Sequence, residues 1–256
     1  MKPVTFLLAV FVATSGVTLA HSQPVLAAED AAAKGASILR VVDERAARFP
    51  DQTYTASMEI FKRGDLRSTM VFSMSMKSLE KQLISFTAPG DVAGMKILME
   101  DRDTIYMYSP EFKKVRRVAA HMQNQGFLGS EFTAEDMVMT KLSPGFDAEL
   151  VGKQGSETQL NLKPKAGTTS SFSKLELFID ATVGGVTRIR YFDGANNLVR
   201  TQTRESWTKF EDSQIPTKIR MKNEKTGDET VINLTGIDVK TAVPDDLFSR
   251  RTLMRG

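Results

Sequence analysis

Leu66-Arg67-Ser68-Thr69-Met70-Val71-Phe72-Ser73-Met74-Ser75-Met76-Lys77 decides the fold of this chain. Leu66, Met70, Phe72, Met74 and Met76 fall in one every-second row, and the alternate row is mostly polar. Successive side chains leave a pleated strand on opposite sides, so a period of two predicts a long strand with one apolar and one wet face. Gly64-Asp65 sets a turn before it, and residues 54–62 alternate through Met58 and Ile60 as an antiparallel partner.

The same period recurs on either side of a long interruption. Strands are expected at 82–87, 95–100, 104–108 and 113–118, with turns at Pro89-Gly90-Asp91, 101–103 and Ser109-Pro110. A second series follows at 147–153, 158–164, 174–180, 186–191, 198–207, 217–223 and 229–237, with Gly184-Gly185, 193–196 and 226–228 as turns. The strands number roughly a dozen, joined mostly by short connections, which predicts one strongly curved antiparallel sheet and a mainly β fold with some α. Residues 29–49 predict an amphipathic helix with Ile38, Val41, Val42 and Phe49 near one face, stopped by Pro50. Between 119 and 143 the alternation fails, which reads as a long loop with a short helix capped by Thr133 and followed by Asp136. Leu247, Phe248 and Leu253 are packing points in the tail.

The N-terminus sets a compartment. Lys2, an apolar run over 4–19 and small residues at Ala20, Ala27 and Ala28 form a secretory signal peptide. Cleavage fits after Ala20 or Ala27, and the second is preferred, so the plan is a leader over 1–27 and a single domain over 28–256. The chain has no cysteine, which excludes disulfides and an acylated N-terminal cysteine, so the exported protein is not lipid-anchored. A formal charge of +3 does not mark a nucleic-acid binder.

Chemistry is sparse. His121 is one of two histidines, and Ser130 in Phe127-Leu128-Gly129-Ser130 lacks the second glycine of a nucleophile elbow. Glu131, Glu135 and Asp136 read as capping and surface charge rather than a glycosidase pair. No enzyme activity, metal or cofactor is expected. A curved sheet must instead cover its apolar face, and the helix at 29–49 and the segment around 120–140 serve as covers. A cavity between sheet and covers follows. Met58, Met70, Met74, Met76, Met95, Met99 and Met107 crowd the N-terminal half. Unbranched, polarizable side chains repack around ligands of varied shape, acyl chains among them. The expected lining is Met70, Phe72, Met74, Met76, Ile84, Phe86, Ile97, Met99, Ile105 and Met107, with Phe127 and Leu128 on a lid. Lys113, Lys114, Arg116 and Arg117 form the densest basic cluster, and Arg116 and Arg117 are assigned to a lipid headgroup or an acidic partner.

Thr104-Ile105-Tyr106-Met107-Tyr108-Ser109-Pro110, Lys113-Lys114-Val115-Arg116-Arg117-Val118 and the stretch from Phe127 to Met137 carry a family resemblance. Together with an N-terminal helix, a strand series and an inserted lid, they resemble the outer-membrane lipoprotein-sorting family of the LolA-like superfamily. The resemblance implies an incomplete half-barrel of about eleven strands covered by helices, and a monomeric periplasmic carrier of lipid or lipoprotein acyl chains. It also implies a membrane permease of the RND superfamily as partner, and the alternative reading is an accessory module that docks on such a permease without carrying lipid. The family's carrier latches its lid with an arginine after the long early strand. Here Met76-Lys77-Ser78-Leu79-Glu80-Lys81 offers lysines, which cannot reproduce the guanidinium's planar fork.

Overall fold

The computed structural model describes residues 23–101, 104–118, 126–133, 136, 141–168 and 170–254. Among them, alternation has become a single antiparallel sheet of thirteen strands. The first six run as an up-and-down series: β1 (Asp51–Lys62), β2 (Asp65–Lys77), β3 (Lys81–Ala88), β4 (Lys96–Asp101), β5 (Thr104–Ser109) and β6 (Lys114–Arg117). The second series is β7 (Phe146–Gln154), β8 (Glu157–Pro164), β9 (Lys174–Asp180), β10 (Gly185–Phe192), β11 (Leu198–Phe210), β12 (Ser213–Asn223) and β13 (Glu229–Asp238). Pairing of β1 with β13 welds the two series, leaving β6 and β7 as the edges of an open sheet. Each segment read as a strand in the sequence is one. The total of thirteen replaces the figure of about eleven drawn from family resemblance.

Helix α1 (Gln23–Ala46) lies across one face, here the inner face. It starts before residue 29, inside the stretch assigned to the leader, with Pro24 in its first turn, where a missing N–H is harmless. Its buried stripe is Gly35, Leu39 and Asp43, flanked by half-buried Ile38 and Val42. Val41, expected on this stripe, is exposed instead, and Leu39 is the anchor. The helix packs so closely on β7 that a Cβ at Gly35 would meet the Ala148 carbonyl oxygen at 2.5 Å. No helix among the described residues is long and apolar enough to cross a membrane.

The main core joins the inner face to α1 and to the segment between β6 and β7. Fully burying a side chain such as Leu39, Leu160 or Leu177 contributes about 1.5–3 kcal/mol each. A smaller core covers the outer face of β3 to β6: Leu83 and Leu98 meet Val243, Phe248 and Leu253, the last from helix α2 (Arg250–Met254). Strands β3 and β4 are therefore apolar on both faces. Leu66 departs from its row. The β1–β2 ladder slips between Ile60 and Phe61, so Leu66 pairs with Phe61 rather than joining Met70 and Phe72, and it is exposed.

Candidate functional site: an apolar cavity under a strapped insertion

Between α1 and the inner face lies a cavity of about 670 Å³. Its walls include Phe72, Met74 and Met76 of β2, Ile219 of β12, Ile232 and Leu234 of β13, Val42 of α1, and Phe132 and Leu142 of the insertion. The sheet register makes this wall continuous, since Phe72 pairs with Ala56, which pairs with Leu234, and Ile232 pairs with both Met58 and Ile219. The volume sits within the ~300–1,000 Å³ typical of ligand pockets.

Of the ten residues assigned to the lining, Phe72, Met74 and Met76 face the cavity. Met70, Ile84, Phe86, Ile97, Met99, Ile105 and Met107 lie with Phe72 and Met74 in the main core, closed over by the insertion. Phe127 stacks tilted against Phe86 at 5.8 Å, and Phe86 against Phe72 at 5.3 Å. The turn Phe127–Gly129 thus plugs the half of the sheet expected to be hollow, with Leu128 in a left-handed conformation (φ 51°) beside it. Met58 and Met95 are packed core as well. Arg116 and Arg117 separate: Arg116 pairs with Met107 and Arg117 with Tyr106, so β-strand alternation sends them to opposite faces and one patch cannot use both.

The insertion is held by charge. Arg200 of β11 grips Asp136 through both terminal nitrogens, Nη1 to Oδ2 at 2.7 Å and Nη2 to Oδ1 at 3.1 Å, and Nη1 also donates to the Glu131 carbonyl at 2.9 Å. The guanidinium lies over the rings of Phe172 and Tyr191 at 4.8 and 4.9 Å. Asp136 in turn accepts from the Thr133 hydroxyl and N–H, while its own N–H donates to Thr133 Oγ1, so the expected cap is present. Glu131 accepts from Lys62 at 2.7 Å and from the Asn223 amide at 3.0 Å, and its N–H donates to Thr230 Oγ1. Burial works to lower the Lys62 ammonium, but Glu131 and Asp228 outweigh it, and its pKa is raised. Glu131 and Asp136 are thus buried fasteners, not surface charge. A guanidinium latch exists after all, supplied by β11; Lys77 and Lys81 instead reach Asp245 in the tail.

The last turn of α1 and the residues just after it close one side of the cavity. Arg45 Nη1 donates to the Gly184 carbonyl at 3.0 Å, and Arg48 pairs with Asp212 through Nε and Nη2 at 3.1 and 3.3 Å. Arg48 draws the Asp212 carboxyl below its usual range. Farther in, Asp43 accepts from the Leu142 and Ser143 amides at 2.9 and 2.8 Å. The Tyr54 hydroxyl donates to Gln52, and burial raises its pKa. Ser130 is buried and donates to the Phe132 carbonyl. His121 and Glu135 lie outside the described residues.

The polar members of this site escaped sequence reading. In β11, Arg200-Thr201-Gln202-Thr203-Arg204 has polar residues in both rows, so neither row announced itself as inner. The available signal was the repeat Arg-x-Gln-x-Arg within a strand flanked by turns.

A family model described as "Uncharacterized protein" matches residues 78–255, more than half of the chain. No curated protein matches. Among solved structures, an outer membrane lipoprotein-sorting protein domain from Vibrio parahaemolyticus is 22% identical with a TM-score of 0.79, covering 88% of this chain and 100% of that one. A DUF1329 family protein from Desulfovibrio piger is 22% identical with a TM-score of 0.81, covering 87% and 99%. A LolA superfamily protein from Nitrosomonas europaea is 17% identical with a TM-score of 0.70, covering 84% and 97%. The open antiparallel sheet with its helix and strapped insertion is a LolA-like fold, and the chain belongs to the family whose model spans residues 78–255.

Proposed function

We propose that this protein is a soluble periplasmic carrier that shelters acyl chains of a lipid or lipoprotein and passes them between envelope partners. One observation carries the reading: a cavity of about 670 Å³ walled by Phe72, Met74, Met76, Ile219, Ile232 and Leu234 inside a LolA-like fold. Each acyl CH₂ moved from water into such a site contributes about 0.8 kcal/mol, so a single chain binds without any covalent step. The names of the Vibrio and Nitrosomonas structures, a lipoprotein-sorting domain and a LolA superfamily protein, support the same class of cargo.

The leader over 1–27 would deliver the chain to the periplasm, where a monomer with no acylated cysteine stays mobile. No catalysis is assigned, and the buried, bonded hydroxyl of Ser130 supports that choice. Docking on an RND-superfamily permease is assigned to the exposed edge strand β6, with Arg116 on one face or Arg117 on the other as the contact, not both at once. Solvent extraction of the protein purified from a periplasmic fraction, followed by mass spectrometry, tests the reading. Stoichiometric acyl lipid is expected; protein that neither co-purifies with lipid nor binds a hydrophobic probe would overturn it.

A further inference from the structure

Three carboxylates line the cavity, and each already has its partners. Asp43 takes two backbone amides, Asp136 takes Arg200, and Asp212 takes Arg48. Two of the three lining arginines are likewise engaged, Arg45 with a carbonyl and Arg48 with Asp212. Arg204 of β11 is the exception. Its Nε donates to Gln202 Oε1 at 2.8 Å, and among the described residues its two terminal nitrogens have no hydrogen-bond partner and no carboxylate pairs with it. The neighbouring Glu205 turns the other way, toward Lys218 and Arg220.

Arg204 sits beside Ile219 in the β11–β12 register and contributes to the cavity wall. Burial pulls its pKa down from the ordinary value. A guanidinium nevertheless remains charged in a protein, and a half-buried cation on the cavity wall with no carboxylate beside it favours an anion that reaches it. A second polar group in the same cavity is also unmet: the buried Gln82 amide has no partner on its nitrogen or its oxygen. A purely apolar ligand would leave both groups unsatisfied.

Resting on the carrier reading above, we infer that the cavity takes an anionic amphiphile, its carboxylate or phosphate head paired with Arg204 and its chain against Phe72, Met74 and Ile232. The planar fork of the guanidinium matches either oxyanion with two parallel hydrogen bonds.

The test displaces a neutral fluorescent probe from the full chain and from Arg204→Gln, using palmitate, lysophosphatidate and methyl palmitate. The wild type should prefer the two anions over the ester by about tenfold, as one charge-assisted hydrogen-bonded pair would give. Arg204→Gln should bring the ratio near one and leave the ester unchanged. The anion that gains more identifies the head as carboxylate or phosphate. Equal affinities in the wild type, or a preference that survives Arg204→Gln, overturn the inference while leaving the carrier intact. Failure of all three to displace the probe overturns the carrier itself. Acetate and inorganic phosphate should not compete at millimolar concentration; displacement by either would make this a small-anion site and contradict the amphiphile. Arg204→Met should unfold at a urea midpoint no lower than the wild type, and a lower midpoint would show that Arg204 is structural instead.

Discussion

Arg200 and Asp136 form a two-pronged ion pair, 2.7 and 3.1 Å, that ties β11 to the insertion spanning the sheet's two edge strands. The Asp136 side chain is fully buried and that of Arg200 nearly so, which puts this pair among the costly kind to break. Removing one partner leaves the other charged in a low-dielectric interior.

Arg200→Ala should therefore destabilise the protein by about 3–5 kcal/mol, read as a lowered urea midpoint. Combining Arg200→Ala with Asp136→Leu should recover part of that loss, because the stranded carboxylate is gone. A double variant no more stable than Arg200→Ala would show that the pair is not the fastening.

Lining and packing residues of the same sheet face should respond differently. Met74→Asp is expected to weaken hydrophobic-probe binding at least tenfold, since it puts a charge in the cavity wall. Met99→Ala, in the plugged half, should cost about 2–5 kcal/mol in stability and leave probe affinity unchanged. Equal binding by Met74→Asp and the wild type would move the ligand elsewhere.

Gly35 tests the seat of α1. An added methyl would strike the Ala148 carbonyl, so Gly35→Ala should cost about 1–3 kcal/mol despite alanine's better helix propensity. Thermal unfolding decides it, and an unchanged melting temperature would place the helix farther from β7.

The Arg48–Asp212 clasp gives an acid response. Asp212 is lowered below its unfolded value, so its contribution is complete above the ordinary aspartate range near ~3.9 and is lost as pH falls through the folded pKa. Stopped-flow entry of a probe should accelerate through that acid window in the wild type. Asp212→Asn should already be fast at neutral pH and should lack that component. A variant with the wild-type profile would show that the clasp does not gate entry.

How much could be read from residues alone follows from which signals the sheet leaves in sequence. Strands such as β1 and β2 were legible because Met58, Ile60, Met70, Phe72 and Met74 keep a strict period. The bulge that turns Leu66 outward leaves no composition signal, because it depends on the pairing partner rather than on the strand itself. Leu83 and Leu98 broke the one-wet-face expectation, since a tail more than 140 residues later covers them. The hollow expected beside β3 to β5 is filled by packing, and nothing in Phe127 announces that it settles on Phe86. Arg200 and Arg204 share a row of one strand yet do opposite things, one paired and one not, which only the register reveals.

Photo-crosslinking tests the central claim most directly. Palmitate carrying a diazirine near its tail, irradiated with the full chain and mapped by peptide mass spectrometry, should label Met74, Met76, Ile219, Ile232 or Leu234 at a stoichiometry near one, and unlabelled palmitate should suppress it. Adducts confined to exposed residues such as Phe112 or Val151, or labelling that excess palmitate leaves untouched, would contradict an acyl-binding interior.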